Sequence, residues 1–231
     1  MNRYAPNISL TAFGCQAQEK LKDSKVLIIG SGALGATCAM YMAGSGVGTI
    51  RIVDFDTIDL SNLQRQVFFR EAECGNRKVK SLANSISGLN SEIIVEEYDE
   101  MFNKTNALRL VEGVDLVIDA ADNPGTTYLI EEIANKVEVP YITAGVTGWK
   151  AQIFTHIPGD VNFSELFPAL VDDSNPLPCS VAGVFGPLTG IVASLEASEA
   201  IKVLTDVGSV LANKLLTIDI LNNKFEIFPL S

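Results

Sequence analysis

The sequence is short of paired cysteines, of histidine and of basic residues, and each shortage excludes a class of protein. Its four cysteines, Cys15, Cys38, Cys74 and Cys179, are scattered and form no C-x-x-C pair. That spacing argues against a disulfide framework and against a four-thiolate zinc site. Cys15, Cys38 and Cys74 read as structural, with Cys38 packing inside a helix. The single histidine, His156, lies in an apolar run and is expected to pack or sit half-exposed rather than to bind metal. Lys and Arg number 17 against 28 Asp and Glu, a formal net charge of -11, so a broad footprint on nucleic acid is excluded. Any bound anion must meet a local cluster of cations. No apolar core of signal-peptide length follows the early Arg3, which gives the expectation of a cytoplasmic protein. Residues 26–50 carry no charge, but Gly30, Gly32, Gly35, Gly44, Gly46 and Gly48 punctuate them as strand, turn, helix and turn. A buried βαβ start therefore explains the stretch better than a membrane span.

What remains is the composition of an ordinary folded domain, 231 residues with 47% hydrophobic and 19% charged, and no repeat or low-complexity run. Residues 25–29 (KVLII) form a continuous β-branched run, as in a strand buried on both faces. Residues 49–53, 93–97, 116–118 and 141–143 repeat that signal. Helical periodicity falls between them at 33–45, 78–88, 103–111 and 126–137. Alternation of this kind predicts an α/β fold with a doubly wound, Rossmann-like, mainly parallel sheet. After Gly145 the pattern changes: residues 150–156 read as an added strand, 160–175 show no period, and 183–205 become a long helix. Residues 214–219 and 224–228 flank Leu221-Asn222-Asn223 as a hairpin. The prediction is one domain over 1–231, with a nucleotide-binding half to about 145 extended by C-terminal antiparallel strands.

Gly30-Ser31-Gly32-Ala33-Leu34-Gly35 is a G-x-G-x-x-G placed directly between a strand and a helix. Glycines there let phosphate or ribose approach backbone N–H groups at a helix N-terminus. Asp54 closes the next strand about twenty residues later, where a carboxylate can accept a ribose hydroxyl. Up to this point a nicotinamide-dependent oxidoreductase fits equally well. The discriminating stretch is residues 54–66, Asp-Phe-Asp-Thr-Ile-Asp-Leu-Ser-Asn-Leu-Gln-Arg-Gln, followed by Gly75-Asn76-Arg77-Lys78. A dehydrogenase has no use for such a loop. Attack at the α-phosphate of ATP does, because charge builds on the leaving pyrophosphate and fixed cations lower that barrier.

With the later Asp119-Ala120-Ala121-Asp122-Asn123, these blocks make the sequence resemble the ThiF/MoeB/HesA adenylyltransferases, bacterial relatives of the ubiquitin-activating enzymes, over nearly its whole length. The resemblance implies ATP and Mg²⁺ as reaction partners. It places Asp54 on the ribose, with Asp56 in the same nucleotide-binding loop, and Asn62, Arg65 and Lys78 around the phosphates. Gln64 supports that loop and Asp122 holds Mg²⁺. Other readings stay open: a solvated loop for Asn62 and Arg65, a surface helix cation for Lys78, and a helix N-cap for Asp122. Cys179, in Pro178-Cys179-Ser180-Val181, is similar to the family segment that carries a sulfur nucleophile, or is a buried small residue.

The implied substrate is a ubiquitin-like sulfur carrier ending in Gly-Gly, activated as its acyl-adenylate. The carrier of thiamin thiazole synthesis is preferred over the molybdopterin synthase small subunit. A degenerate, non-catalytic carrier-binding homologue is the competing class. The chain is expected to form a homodimer, with the apolar C-terminal helix as the candidate contact, and to use no nucleic acid or membrane. Two family features are missing. Residues 162–165 and 228–231 have no thiols where many members bind zinc, so no structural zinc is expected. Pro6 stands where a second arginine reaches a partner's ATP, and Arg3 is the candidate replacement.

Overall fold

The computed structural model describes residues 3–168 and 183–230. Cys179 therefore lies outside the described residues. One eight-stranded sheet runs through the chain in the order β3-β2-β1-β4-β5-β6-β7-β8. Its parallel part comprises β1 (Lys25–Ile29), β2 (Thr49–Val53), β3 (Ile94–Tyr98), β4 (Leu116–Asp119) and β5 (Tyr141–Thr147). The antiparallel extension is β6 (Lys150–His156), β7 (Lys214–Asp219) and β8 (Lys224–Pro229). The fold is thus the doubly wound α/β sheet with C-terminal antiparallel strands that the alternation predicts.

Helices cover both faces of the parallel part, which is why β1 and β4 read as largely apolar runs and β2 as one interrupted only by Arg51, which pairs with Glu96. One face carries α3 (Ala33–Ser45), α4 (Lys78–Leu89) and α8 (Gly186–Thr205), whose core includes Ala36, Ala39, Met42, Leu82, Leu188, Val192 and Ala197. The other face carries α5 (Ala107–Val111) and α6 (Pro124–Val137), packed with Val117, Tyr141, Phe154 and Phe163 of the short helix α7 (Phe163–Leu166). Much of the apolar surface of α8 is thus spent inside the protomer rather than left free for a dimer contact.

The structure departs from the sequence reading at several places. Two N-terminal helices, α1 (Ala5–Ile8) and α2 (Gly14–Asp23), precede β1, and α2 buries Ala17, Gln18 and Leu21. The helix expected from 103 begins only at Ala107, because the Asn103 side chain accepts from the Thr105 N–H and hydroxyl and holds a turn first. Within the aperiodic stretch, Asn162 and Glu165 form a reciprocal cap for α7. Cys38 is buried, as its packing within the helix predicts, while Cys15 and Cys74 are exposed. His156 is buried, stacked on Tyr141 at 4.9 Å, and its Nδ1–H donates to the Val161 carbonyl at 3.2 Å.

Candidate active site

The strand order reverses between β1 and β4, and a crevice forms at the carboxyl ends of those two strands. The glycine loop follows β1 there. Gly30 has φ +97°, and a Cβ on it would lie 2.5 Å from the Ala120 carbonyl oxygen. A Cβ on Gly35 would lie 1.9 Å from the Gly30 oxygen. Only hydrogen fits at either position, so the loop after β1 and the loop after β4 touch backbone to backbone. That contact brings the segment carrying Asp122 against the nucleotide loop.

Asp54 fixes the loop from the other side. Its Oδ2 accepts the Ser31 N–H at 2.5 Å and its Oδ1 accepts the Asp56 N–H at 2.7 Å. Each oxygen keeps a second lone pair, so the carboxylate can still accept a ribose hydroxyl. Beyond it the polar segment is strapped into a closed loop: Ile58 N–H donates to Asn76 O at 2.9 Å and Gly75 N–H to Ile58 O at 2.8 Å. The strap puts Lys78, the first residue of α4, beside Asp56 at 2.8 Å. The Lys78 side chain is 7% exposed and that of Asp56 49%. Lys78 is thus a buried stem delivering one charge, not a surface helix cation.

Asn62 is not simply solvated. Its Oδ1 accepts the Asp59 N–H at 3.3 Å, while Asp59 accepts the Ser61 N–H at 2.8 Å, closing a capping box on one 3-10 turn. The Ser61 hydroxyl and N–H hold the Asp59 carboxyl below its ordinary range, with Lys78 adding a smaller pull. Arg65 is half-exposed and makes a single long contact, from Nη1 to Ser61 O at 3.3 Å, among the described residues. Gln64 meets the start of α8: a Cβ on Gly186 would lie 2.5 Å from its carbonyl oxygen and 3.3 Å from its Oε1.

Asp122 is exposed, and Asn123 rather than Asp122 caps α6, accepting the Thr126 N–H at 2.9 Å. The N-cap reading of Asp122 is therefore replaced: Asn123 is the cap, and the Asp122 carboxylate makes no hydrogen bond or ion pair among the described residues. Just before it, buried Asp119 accepts the Thr127 hydroxyl at 2.6 Å, the Thr143 hydroxyl at 2.8 Å and the Ala121 N–H at 3.1 Å. Burial pushes the Asp119 carboxyl up, and the three hydrogen bonds partly offset this. Arg3 is remote. Its Nη1 donates to Leu89 O at 3.0 Å, at the end of α4 opposite Lys78, about 17 Å away along the helix axis.

Sequence reasoning missed Ser31 and Gln66 as polar groups of the site. Both are buried, and Ser31 Oγ and Gln66 Oε1 have no hydrogen-bond partner among the described residues. Gln66 Nε2 lies 3.6 Å from where a Cβ of Gly32 would stand. Orphaned polar atoms against a glycine loop fit a polar ligand better than a structural turn. The signal was the second Gln of Gln64-Arg65-Gln66. Trp149 of the β5–β6 turn packs against Phe185, the residue before α8, with ring centroids 4.3 Å apart and the rings tilted by 32°.

A glycine loop clamped by a strand-end carboxylate, ringed by Arg, Lys and a spare Asp, defines a nucleotide-binding α/β protein equipped for charged phosphates. Residues 4–231 match the ThiF family, and the chain belongs to it. It is 37% identical over 229 residues to the adenylyltransferase and sulfurtransferase MOCS3-1 of Zea mays, covering 99% of this chain and 49% of that protein. It is 34% identical to the SAMP-activating enzyme E1 of Haloferax volcanii, covering 99% of this chain and 85% of that one. Among solved structures, MccB of E. coli with ATP superposes with a TM-score of 0.86 at 27% identity, covering 100% of this chain and 71% of that chain. The chain spans about half the length of several curated relatives it matches, 49% in the first maize case.

Proposed function

We propose that the chain adenylates the C-terminal carboxylate of a ubiquitin-like sulfur carrier ending in Gly-Gly, using ATP and releasing pyrophosphate. One observation carries this reading. The nucleotide loop is built by backbone packing at Gly30 and Gly35 and by the Asp54 carboxylate, while Arg65 and Asp122 are barely engaged. Charges held at a finished cradle suit a ligand whose phosphates and metal engage them.

In this reading Asp54 takes the ribose and the N–H groups at the start of α3 face the phosphates. A carrier carboxylate oxygen bonds to the α-phosphorus as the bond to the pyrophosphate oxygen breaks, so no protein group need supply a proton. Arg65 and Lys78 stabilise charge gathering on the leaving group, and Asn62 and Gln64 hold the loop that bears Arg65. Asp122 fits Mg²⁺ as a hard oxygen ligand, and Mg²⁺ supplies further neutralisation of the phosphates. Cys179 as the sulfur nucleophile, a homodimer, a cytoplasmic location and the thiamin carrier as partner belong to the same proposal. The relatives named MOCS3 and SAMP-activating enzyme support a carrier substrate in general.

ATP–pyrophosphate exchange with candidate carriers tests the reading. Exchange that needs both Mg²⁺ and a Gly-Gly carrier is expected; exchange without any carrier contradicts it. Binding of carrier with no exchange would favour the non-catalytic homologue, consistent with Pro6 at the arginine position.

A further inference from the structure

Lys78 is buried and its partner is half-exposed. The stem is buried, and its N–H donates to the Asp56 carbonyl at 3.0 Å, so both backbone and side chain are tied to one residue. The Asp56 carboxylate is half-exposed and can turn into solvent without desolvation cost. Asp54 and Asp59 stand in the same loop, so a polyphosphate arriving here meets carboxylates as well as cations. Lys78 has one ammonium to share between Asp56 and the incoming oxygens.

We propose that Asp56 is an exchange partner for Lys78: its carboxylate competes with phosphate oxygens for the ammonium, loosens bound polyphosphate and so promotes the departure of pyrophosphate. The inference rests on the reading that Lys78 faces the phosphates. Its chemistry is that of displacement at a fixed cation. Each time pyrophosphate separates from Lys78 the carboxylate returns, and the ammonium is never left unpaired in a buried site, which would be costly. Asp56 thereby gives up some ground-state affinity for ATP in return for release of the product, and release limits turnover in many enzymes.

The consequence runs against ordinary expectation for a residue lining a binding site, because its removal tightens binding. Titration calorimetry of magnesium pyrophosphate and magnesium ATP against the wild-type chain and Asp56→Asn should show the variant binding both about tenfold more tightly, with slower pyrophosphate dissociation. The amide keeps the backbone N–H to Asp54 and the carbonyl used by the Lys78 N–H. A second arm separates exchange at Lys78 from simple removal of a negative charge. In a Lys78→Met background, Asp56→Asn should give less than about a twofold gain, because the competitor then has nothing to compete for. An equal gain with and without Lys78 overturns the proposal, as does weaker or unchanged binding by Asp56→Asn. If Asp56→Asn does not fold, the ¹³C carboxyl resonance of Asp56 in the wild-type chain decides: it must shift on addition of magnesium pyrophosphate, and an unmoved resonance overturns the exchange. Failure of the wild-type chain to bind MgATP at all overturns the adenylation reading and the exchange with it. Binding by the wild-type chain with no gain in Asp56→Asn overturns the exchange alone.

Discussion

The two sides of the crevice are built on different principles. The glycine-loop side is held by backbone packing and short bonds: Gly30 against Ala120, Gly35 against Gly30, and Ser31 N–H on Asp54 at 2.5 Å. The cationic side is held by a strap and a capping box, and it ends in Arg65 on one 3.3 Å contact; Asp122, on the loop that the glycine side packs against, is likewise exposed beside a cap that Asn123 supplies. Shape is therefore set on one side and charge is kept on the other. Changes on the first should cost stability and changes on the second should cost activity.

The sharpest break of that comparison is Arg65→Ala or Asp122→Ala. Either should lower carrier-dependent exchange by about two to three orders of magnitude, as loss of a transition-state charge donor does, with a melting temperature within about one degree of wild type. A change in exchange below about threefold would make the residue a bystander. Gly35→Ala should act the opposite way. Its Cβ has no room, and unfolding by urea should show a loss of about 3 kcal/mol or more, with any fall in activity tracking the unfolded fraction. Asp54→Asn belongs to both sides, since one of its two N–H acceptors becomes a donor; about 1–3 kcal/mol of stability should go together with ribose affinity.

A smaller effect tests the core beneath both. Glu196 of α8 is fully buried, with both oxygens unpartnered among the described residues. Burial first, and the Asp119 charge second, push its carboxyl well above the ordinary value of 4.5. The folded value lies above the unfolded one, so the associated stability is complete below the unfolded value and is lost as pH rises towards the folded value. Glu196→Gln should therefore gain stability over wild type between about pH 5 and pH 8, with the gain growing as pH rises. Thermal melts across that range that run parallel for the two proteins would count against it. The smallest effect is chemical. A thiol reagent should modify exposed Cys15 and Cys74 at once but reach Cys38 only on unfolding, because burial both hides that thiol and pushes its titration up.

The parts legible in the sequence are those where a local pattern carries the physics. Runs rich in β-branched and apolar residues gave β1, β2 and β4 to within a residue, because strands covered on both faces need no alternation. The glycine spacing and Asp54 placed the loop, since only glycine tolerates the approach of Ala120. Other features came from tertiary contacts that no spacing encodes. For Lys78, placed at the phosphates by resemblance, the alternative of a surface helix cation stayed open in the sequence, and only the strap between Ile58 and Asn76 shows its stem buried. The burial of Glu196 comes from the packing of α3 on α8, which no spacing in the sequence encodes. Asp122 was separable from a cap only once Asn123 was found accepting from Thr126. Helix α2 was missed although Ala17 and Leu21 stand four apart on one face, a pattern overshadowed by its many polar neighbours.

The contact between the Trp149 and Phe185 rings has a practical consequence. Trp149 is the sequence's one tryptophan, 44% exposed at the β5–β6 turn, and its neighbour Phe185 leads into the α8 start that rests on Gln64 and Arg65. All indole emission from this protein therefore originates beside the cationic loop. Red-edge excitation of the unlabelled chain should register any shift of that loop as a change in emission wavelength and quenching, which makes the protein its own reporter for ligand titrations.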